Sequence, residues 1–148
     1  MIRNFLLNWA QSRAPDFVIG GIADPYLLRW WLIPRNPILN IYVHYFLRSD
    51  DDRALHGHPW LANCSILLKG QYLEHTQDGV FLRKAGDWKF RWGAAPHRVE
   101  LTTEPCWTLF ITGPRVREWG FYCPQGWVSW QKFTAKDDKG AIGKGCEQ

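Results

Sequence analysis

The chain has 148 residues, a net charge of +4 and an ordinary 22% of charged residues, but its 10 tryptophans, within an aromatic fraction of 16%, are far above common usage. That length suits one compact domain with a sizeable core. The basic residues are scattered except for Arg115 with Arg117 and the tail lysines, which argues against a nucleic-acid partner. No apolar run approaches the roughly 20 residues that span a bilayer, and asparagines interrupt the apolar opening Met1 to Ala10, a poor secretory signal. Cys64, Cys106, Cys123 and Cys146 show no CxxC spacing. A cytoplasmic protein with free thiols is therefore expected, with Cys64 and Cys106 as small buried hydrophobes.

Residues 2 to 12 predict a short amphipathic helix presenting Ile2, Phe5, Leu6 and Trp9 to the rest of the fold. After the punctuation of Gly20-Gly21 and Asp24-Pro25, Tyr26 to Ile33 and Asn40 to Arg48 read as strands around a turn at Pro34 to Pro37. The acidic triplet Asp50-Asp51-Asp52 reads as a solvated turn, because no calcium-loop pattern of alternating oxygen ligands follows it. His44 lies among aromatic neighbours and is expected to be a packed, hydrogen-bonded histidine.

Next comes a segment carrying His56 and His58. Alternate side chains of an extended segment point the same way, so the two imidazoles share a face. Asn63 to Lys69 is the following strand and Gly70 breaks it. Tyr72 to Thr76 and Val80 to Lys84 flank Asp78-Gly79, a strong hairpin signal. A two-residue loop there pairs Glu74 with Arg83 and His75 with Leu82. One face then holds Leu73, His75, Val80 and Leu82, the other Tyr72, Glu74, Phe81 and Arg83. The first is more apolar, which favours His75 inward and Glu74 outward. A third histidine, His97, ends the Gly-bounded run from Lys84, and Val99 to Leu101, Trp107 to Thr112 and Trp119 to Tyr122 supply the remaining strands. Many short strands point to a sandwich or barrel. Residues 134–148 are polar and Gly-rich, with little to bury, and are expected to be disordered unless something ties them down.

These motifs resemble those of the cupin superfamily: His-x-His, then Glu and Gly, and later Gly, Pro-x-Gly and a final His. His56, His58, Gly70, Gly86 and His97 stand in that frame. Asn63 replaces the Glu, Trp92 the Pro, Ala94 the second Gly, and Asp50 the opening Gly. The wider wording around Leu47 to Trp60 and Trp107 to Pro114 also resembles small cupins of phage and prophage sequences. The resemblance implies an all-β, single-domain cupin-type double-stranded β-helix, a jelly-roll barrel with a short N-terminal helix. The domain would span residues 1–133, with residues 40–113 as its motif core.

For the site, His56, His58 and His97 are the candidate ligands of a divalent transition metal (Fe, Ni or Zn), since neutral imidazoles suit these ions. Without a carboxylate ligand the ion keeps its full charge and favours a small anionic substrate, as an Fe-type dioxygenase would take. Glu74 or His75, whichever faces inward, is the candidate proton carrier. Asn63, Trp60 and Trp92 are candidate substrate contacts, each weighed against simple packing. The partner implied is a small molecule, with no nucleic acid and no membrane, and edge pairing into a homodimer is a further expectation. Two other readings stay open: a sugar isomerase or epimerase, and a noncatalytic ligand-binding or phage accessory barrel.

Overall fold

The computed structural model describes residues 2–21, 23–50, 54–102, 105–137 and 141–147. Helix α1 (Ile2–Gln11) leads into β1 (Phe17–Ile19), β2 (Leu27–Trp31), β3 (Asn40–Phe46), β4 (Leu55–His56), β5 (Ala62–Lys69) and β6 (Gln71–Thr76). Then follow β7 (Gly79–Lys84), β8 (Trp88–Trp92), β9 (His97–Leu101), β10 (Cys106–Thr112), β11 (Gly120–Cys123), β12 (Gly126–Ser129) and the short α2 (Trp130–Phe133). They form two six-stranded sheets, ordered β1-β2-β3-β10-β5-β8 and β12-β11-β4-β9-β6-β7. All pairings are antiparallel. This is the all-β double-stranded β-helix that the motifs imply. No helix among the described residues is long and apolar enough to cross a membrane.

Alternation along β3 and β10 sets the two faces of the first sheet. Val43 and Trp107 turn outward and are covered by Leu6, Leu7 and Ala10 of α1 together with Trp30 and Leu68. Each such fully buried large apolar side chain contributes about 1.5–3 kcal/mol. Burial on both faces explains why these strands read as nearly continuous apolar runs. The helix therefore packs through Leu6, Leu7 and Ala10, with Trp9 at the margin, whereas Ile2 and Phe5 of the expected stripe are exposed. Between the sheets, Leu67, Tyr72, Val99 and Cys106 form an inner cluster. Gly70, at φ +87°, makes the turn from β5 to β6, where a Cβ would meet that of Cys106 at 2.8 Å.

The β6–β7 hairpin departs from its expected register. Thr76 pairs with Gly79, Glu74 with Phe81 and Tyr72 with Arg83, so Gln77-Asp78 forms the tip. The shift is two residues along the pairing, which preserves the division into faces because side chains alternate with period two. The inward face is the opposite one. Glu74 is 0% exposed and Tyr72 is buried, while Val80 and Leu82 face solvent.

The cysteines divide. Cys64 is partly buried and Cys106 buried as free thiols, but Cys123 and Cys146 form a disulfide, which corrects the expectation of four free thiols. That bond fastens the C-terminal segment, and backbone bonds from Gly143 and Gly145 to the Phe133 carbonyl hold it further. Of the acidic triplet, Asp51 and Asp52 lie outside the described residues. Asp50 does not sit in a solvated turn: its side chain is 7% exposed and accepts from the Tyr26 hydroxyl and the Val99 N–H.

Candidate metal centre and ligand cavity

His56 on β4 pairs with His97, the first residue of β9, and with Phe121 of β11. His58 follows two residues on, its N–H bonded to the Gly93 carbonyl at 2.9 Å. This crossing explains Gly93: a Cβ there would lie 1.8 Å from the Trp60 carbonyl oxygen. The result is that His56, His58 and His97 each offer a ring nitrogen, all within 4.8 Å of one another. Nε2 of His58 lies 2.9 Å from Nε2 of His97.

Burial keeps these rings neutral. The His56 pKa falls to about 4, chiefly through desolvation, with Asp50 opposing and the charges of His97 and Arg91 adding. His58 is held well below its ordinary value by burial, then by His97, His56, Arg91 and Arg29. His97 is lowered by burial, against the opposing pull of Glu74. Neutral imidazoles present lone pairs to a metal, so this donor set fits a divalent transition ion.

Two carboxylates stand behind the rings. Oε1 of Glu74 lies 3.2 Å from His97 Nδ1, within ion-pair distance. Arg91 donates to the same oxygen through Nε at 2.7 Å and also through Nη2, and Arg83 donates to Oε2 at 2.8 Å. Burial alone would raise the Glu74 pKa, but His97, Arg91 and Arg83 hold it well below the usual carboxylate range. Because Arg91 comes from β8 and Glu74 from β6, the pair also ties one sheet to the other. Asp50 accepts from the Tyr26 hydroxyl and from the Val99 N–H at 2.6 Å, and its Oδ2 lies 3.8 Å from His56 Nδ1. Such carboxylates orient a ligating ring and set its tautomer.

The other sequence candidates scatter. Trp60 stacks on His58 with ring centroids 5.5 Å apart and lines the cavity. Trp92 is 61% exposed, packed edge-on against Phe90, and is not part of the cavity wall. Asn63 is buried opposite Arg91 and Thr112, with no hydrogen-bond partner among the described residues, and it too lies off the cavity wall. His75 is on the outer face, bonded to Glu100 at 2.8 Å and to Arg98 at 3.2 Å, so the inward orientation expected for it is corrected. Charge decides the matter: Glu74 inside meets two arginines, and an inward His75 would leave that guanidinium pair unmatched.

The cavity beside the histidines has a volume of about 360 Å³. Phe46, Phe110 and Phe121 give it apolar walls, and Phe133, Thr134, Ala141 and Ile142 bring the C-terminal segment into its lining. Arg29 and His44 line it as well, with Arg29 Nε donating to His44 Nε2 at 2.8 Å. His44 is thus a packed, hydrogen-bonded histidine, held well below its ordinary pKa by burial and by the Arg29 charge. Sequence reasoning missed Asp50, Arg29 and Arg91. For Arg29 a signal existed: it alternates with Leu27 and Trp31 inside an apolar strand, which puts its charge on a buried face.

Fold and site together define a cupin-type double-stranded β-helix with a histidine cluster in its interior. No family model and no curated protein matches the chain. Among solved structures, it resembles an uncharacterized conserved protein with a double-stranded β-helix domain from Klebsiella pneumoniae (TM-score 0.54, 16% identity, 70% of this chain and 90% of that one). It is also similar to a putative mannose-6-phosphate isomerase from Ralstonia eutropha (TM-score 0.53, 17% identity, 67% and 92%). A third is the DMSP lyase DddQ from Ruegeria pomeroyi (TM-score 0.50, 20% identity), which it matches over 60% of its own length and 47% of that chain. The chain thus covers about half of the lyase. At these identities the likeness establishes the fold.

Proposed function

We propose that this protein is a metal-dependent cupin that binds a small anionic molecule, with His56, His58 and His97 holding one divalent transition-metal ion. The carrying observation is the convergence of three neutral imidazole nitrogens within 4.8 Å beside a cavity of about 360 Å³. Bound there, the ion would supply Lewis-acid polarisation and, as iron, access to dioxygen chemistry. An all-imidazole donor set would leave the ion's positive charge for an anionic ligand, and with iron bound, dioxygen would be the oxidant for that ligand. Glu74 acts as a positioning residue through His97, because two arginines already occupy its oxygens. Asp50 plays the same part for His56, and Trp60 forms a flat wall against His58.

The test is elemental analysis of untagged protein. Near-stoichiometric metal in the wild type and none in His58→Ala is the expected result. No metal in either, even after reconstitution with iron, nickel and zinc, would overturn the reading.

A second reading has one specific observation behind it. His56, Asp50 and Tyr26 adjoin one another on the cavity wall, the elements of a metal-free proton transfer in a sugar isomerase or epimerase. It predicts monosaccharide-induced thermal shifts that survive chelation and disappear in His56→Ala.

A further inference from the structure

The cavity wall opposite the histidines carries a charge that the protein does not neutralise. Arg29, on β2, faces inward in a row of paired residues: Arg29 opposite His44, and His44 opposite Thr108. Its guanidinium is fixed on two sides. Nε–H donates to His44 Nε2 at 2.8 Å, and Cζ lies 4.8 Å from the centre of the Tyr42 ring. Both contacts are to neutral groups. Among the described residues no carboxylate lies within ion-pair distance of Arg29, and none accepts from its Nη atoms. On the far side of His44, Thr108 is 1% exposed, lines the same cavity, and its hydroxyl has no partner among the described residues. A buried polar atom without a partner costs free energy unless something supplies the missing bond.

These observations converge on a ligand. With Nε and one face occupied, the free end of the guanidinium is its Nη edge, a planar fork that matches a carboxylate. The hydroxyl of Thr108 adds a further donor. A single ring separates this end from the histidines: the Phe110 centroid is 5.1 Å from that of His44 and 5.9 Å from that of His58. The walls between are apolar, and about 360 Å³ is at the small end for ligand cavities.

We infer that Arg29 and Thr108 form a carboxylate-recognition subsite, and that the ligand is a small carboxylate with an apolar body whose far end reaches the histidine cluster. This deepens the proposed function and rests on reading the cavity as a small-molecule site. It does not need the metal to be bound.

The experiment uses full-length protein stripped with chelator, so that no ion can capture the probe. Acetate, isobutyrate, benzoate and phenylacetate are each titrated by calorimetry against the corresponding neutral amide. At least one carboxylate should bind about tenfold or more tightly than its amide, and Arg29→Met should remove that preference. Arg29→Lys keeps the charge without the fork and should restore only part of it. Thr108→Val should weaken the same carboxylate several-fold. Equal binding of acid and amide, full affinity in Arg29→Met, or no binding of any carboxylate to the wild type would overturn the inference. Should Arg29→Met fail to fold by circular dichroism, the wild-type acid-to-amide ratio and Thr108→Val decide. Failure of the metal reading appears separately, as absent metal alongside intact carboxylate preference.

Discussion

Glu74 and Arg29 both place an ionisable side chain in the interior of one barrel, and their surroundings differ in kind. Glu74, with no exposed surface, is met by two guanidinium groups and an imidazole, so its charge is neutralised within the protein. Arg29 is met by a neutral imidazole and an aromatic face, and burial lowers its pKa to about 10. Burying a charge is costly unless it is paired. The first group therefore belongs to the architecture, joining two sheets and steadying His97. The second is a charge kept at some expense of stability, the arrangement expected where a ligand completes the site.

The largest effect should come from breaking the satisfied pair. Glu74→Ala strands Arg91 in the interior and should cost about 3–5 kcal/mol in urea unfolding. A loss below about 1 kcal/mol would show that the cross-sheet pair is not structural.

Acid should act next, through the histidines rather than Glu74. The folded-state pKa of His56 is depressed to about 4, so the unfolded chain takes up the proton first as pH falls. The stability this ring contributes is complete above about 6.5 and is lost on the way down to about 4, on the order of 3 kcal/mol. His58 and His44 add to the loss in the same direction. Stability of metal-free protein that stays flat from pH 7 to 4.5 would contradict the neutral, buried histidines.

The tail tests how far the cavity depends on a distant staple. Cys123 and Cys146 close a sequence separation of 23 residues. Cys146→Ser should cost about 2 kcal/mol and speed amide exchange at Gly143 and Gly145, leaving exchange in β6 unchanged. Unchanged exchange in the tail would mean that its backbone bonds suffice.

The smallest effect sharpens the contrast most, because its sign is reversed. Arg29→Met removes an uncompensated charge while keeping similar volume, and should leave stability unchanged or raise it by about 1 kcal/mol. A loss comparable with that of Glu74→Ala would make Arg29 a structural residue.

Much of the framework was legible before the fold was known. Alternation and turn residues located β2, β3, β5, β6, β7, β10 and most of β9 and β11, and the i, i+2 spacing put His56 and His58 on one face. The short strands β1 and β12 escaped because a few residues carry too little periodicity, whereas β4 is the extended segment that carries His56. Asp50 escaped because its acidic neighbours made it look solvated, whereas its partners Tyr26 and Val99 are remote in sequence. The Cys123–Cys146 bond has no spacing signature for the same reason.

Local pattern by itself determined which side chains share a face. In the β6–β7 hairpin it grouped Glu74 with Tyr72 and His75 with Leu73 whatever the register, since alternation has period two. Which face turned inward was decided only by tertiary structure. Apolar content favoured the His75 face, but Arg91 arrives from the opposite sheet and Arg83 from the neighbouring strand, and Glu74 is the carboxylate that can meet both. Compensation of buried charge outweighs a modest difference in hydrophobicity, and the crossing of Arg91 from the opposite sheet leaves no mark in the local alternation of the hairpin.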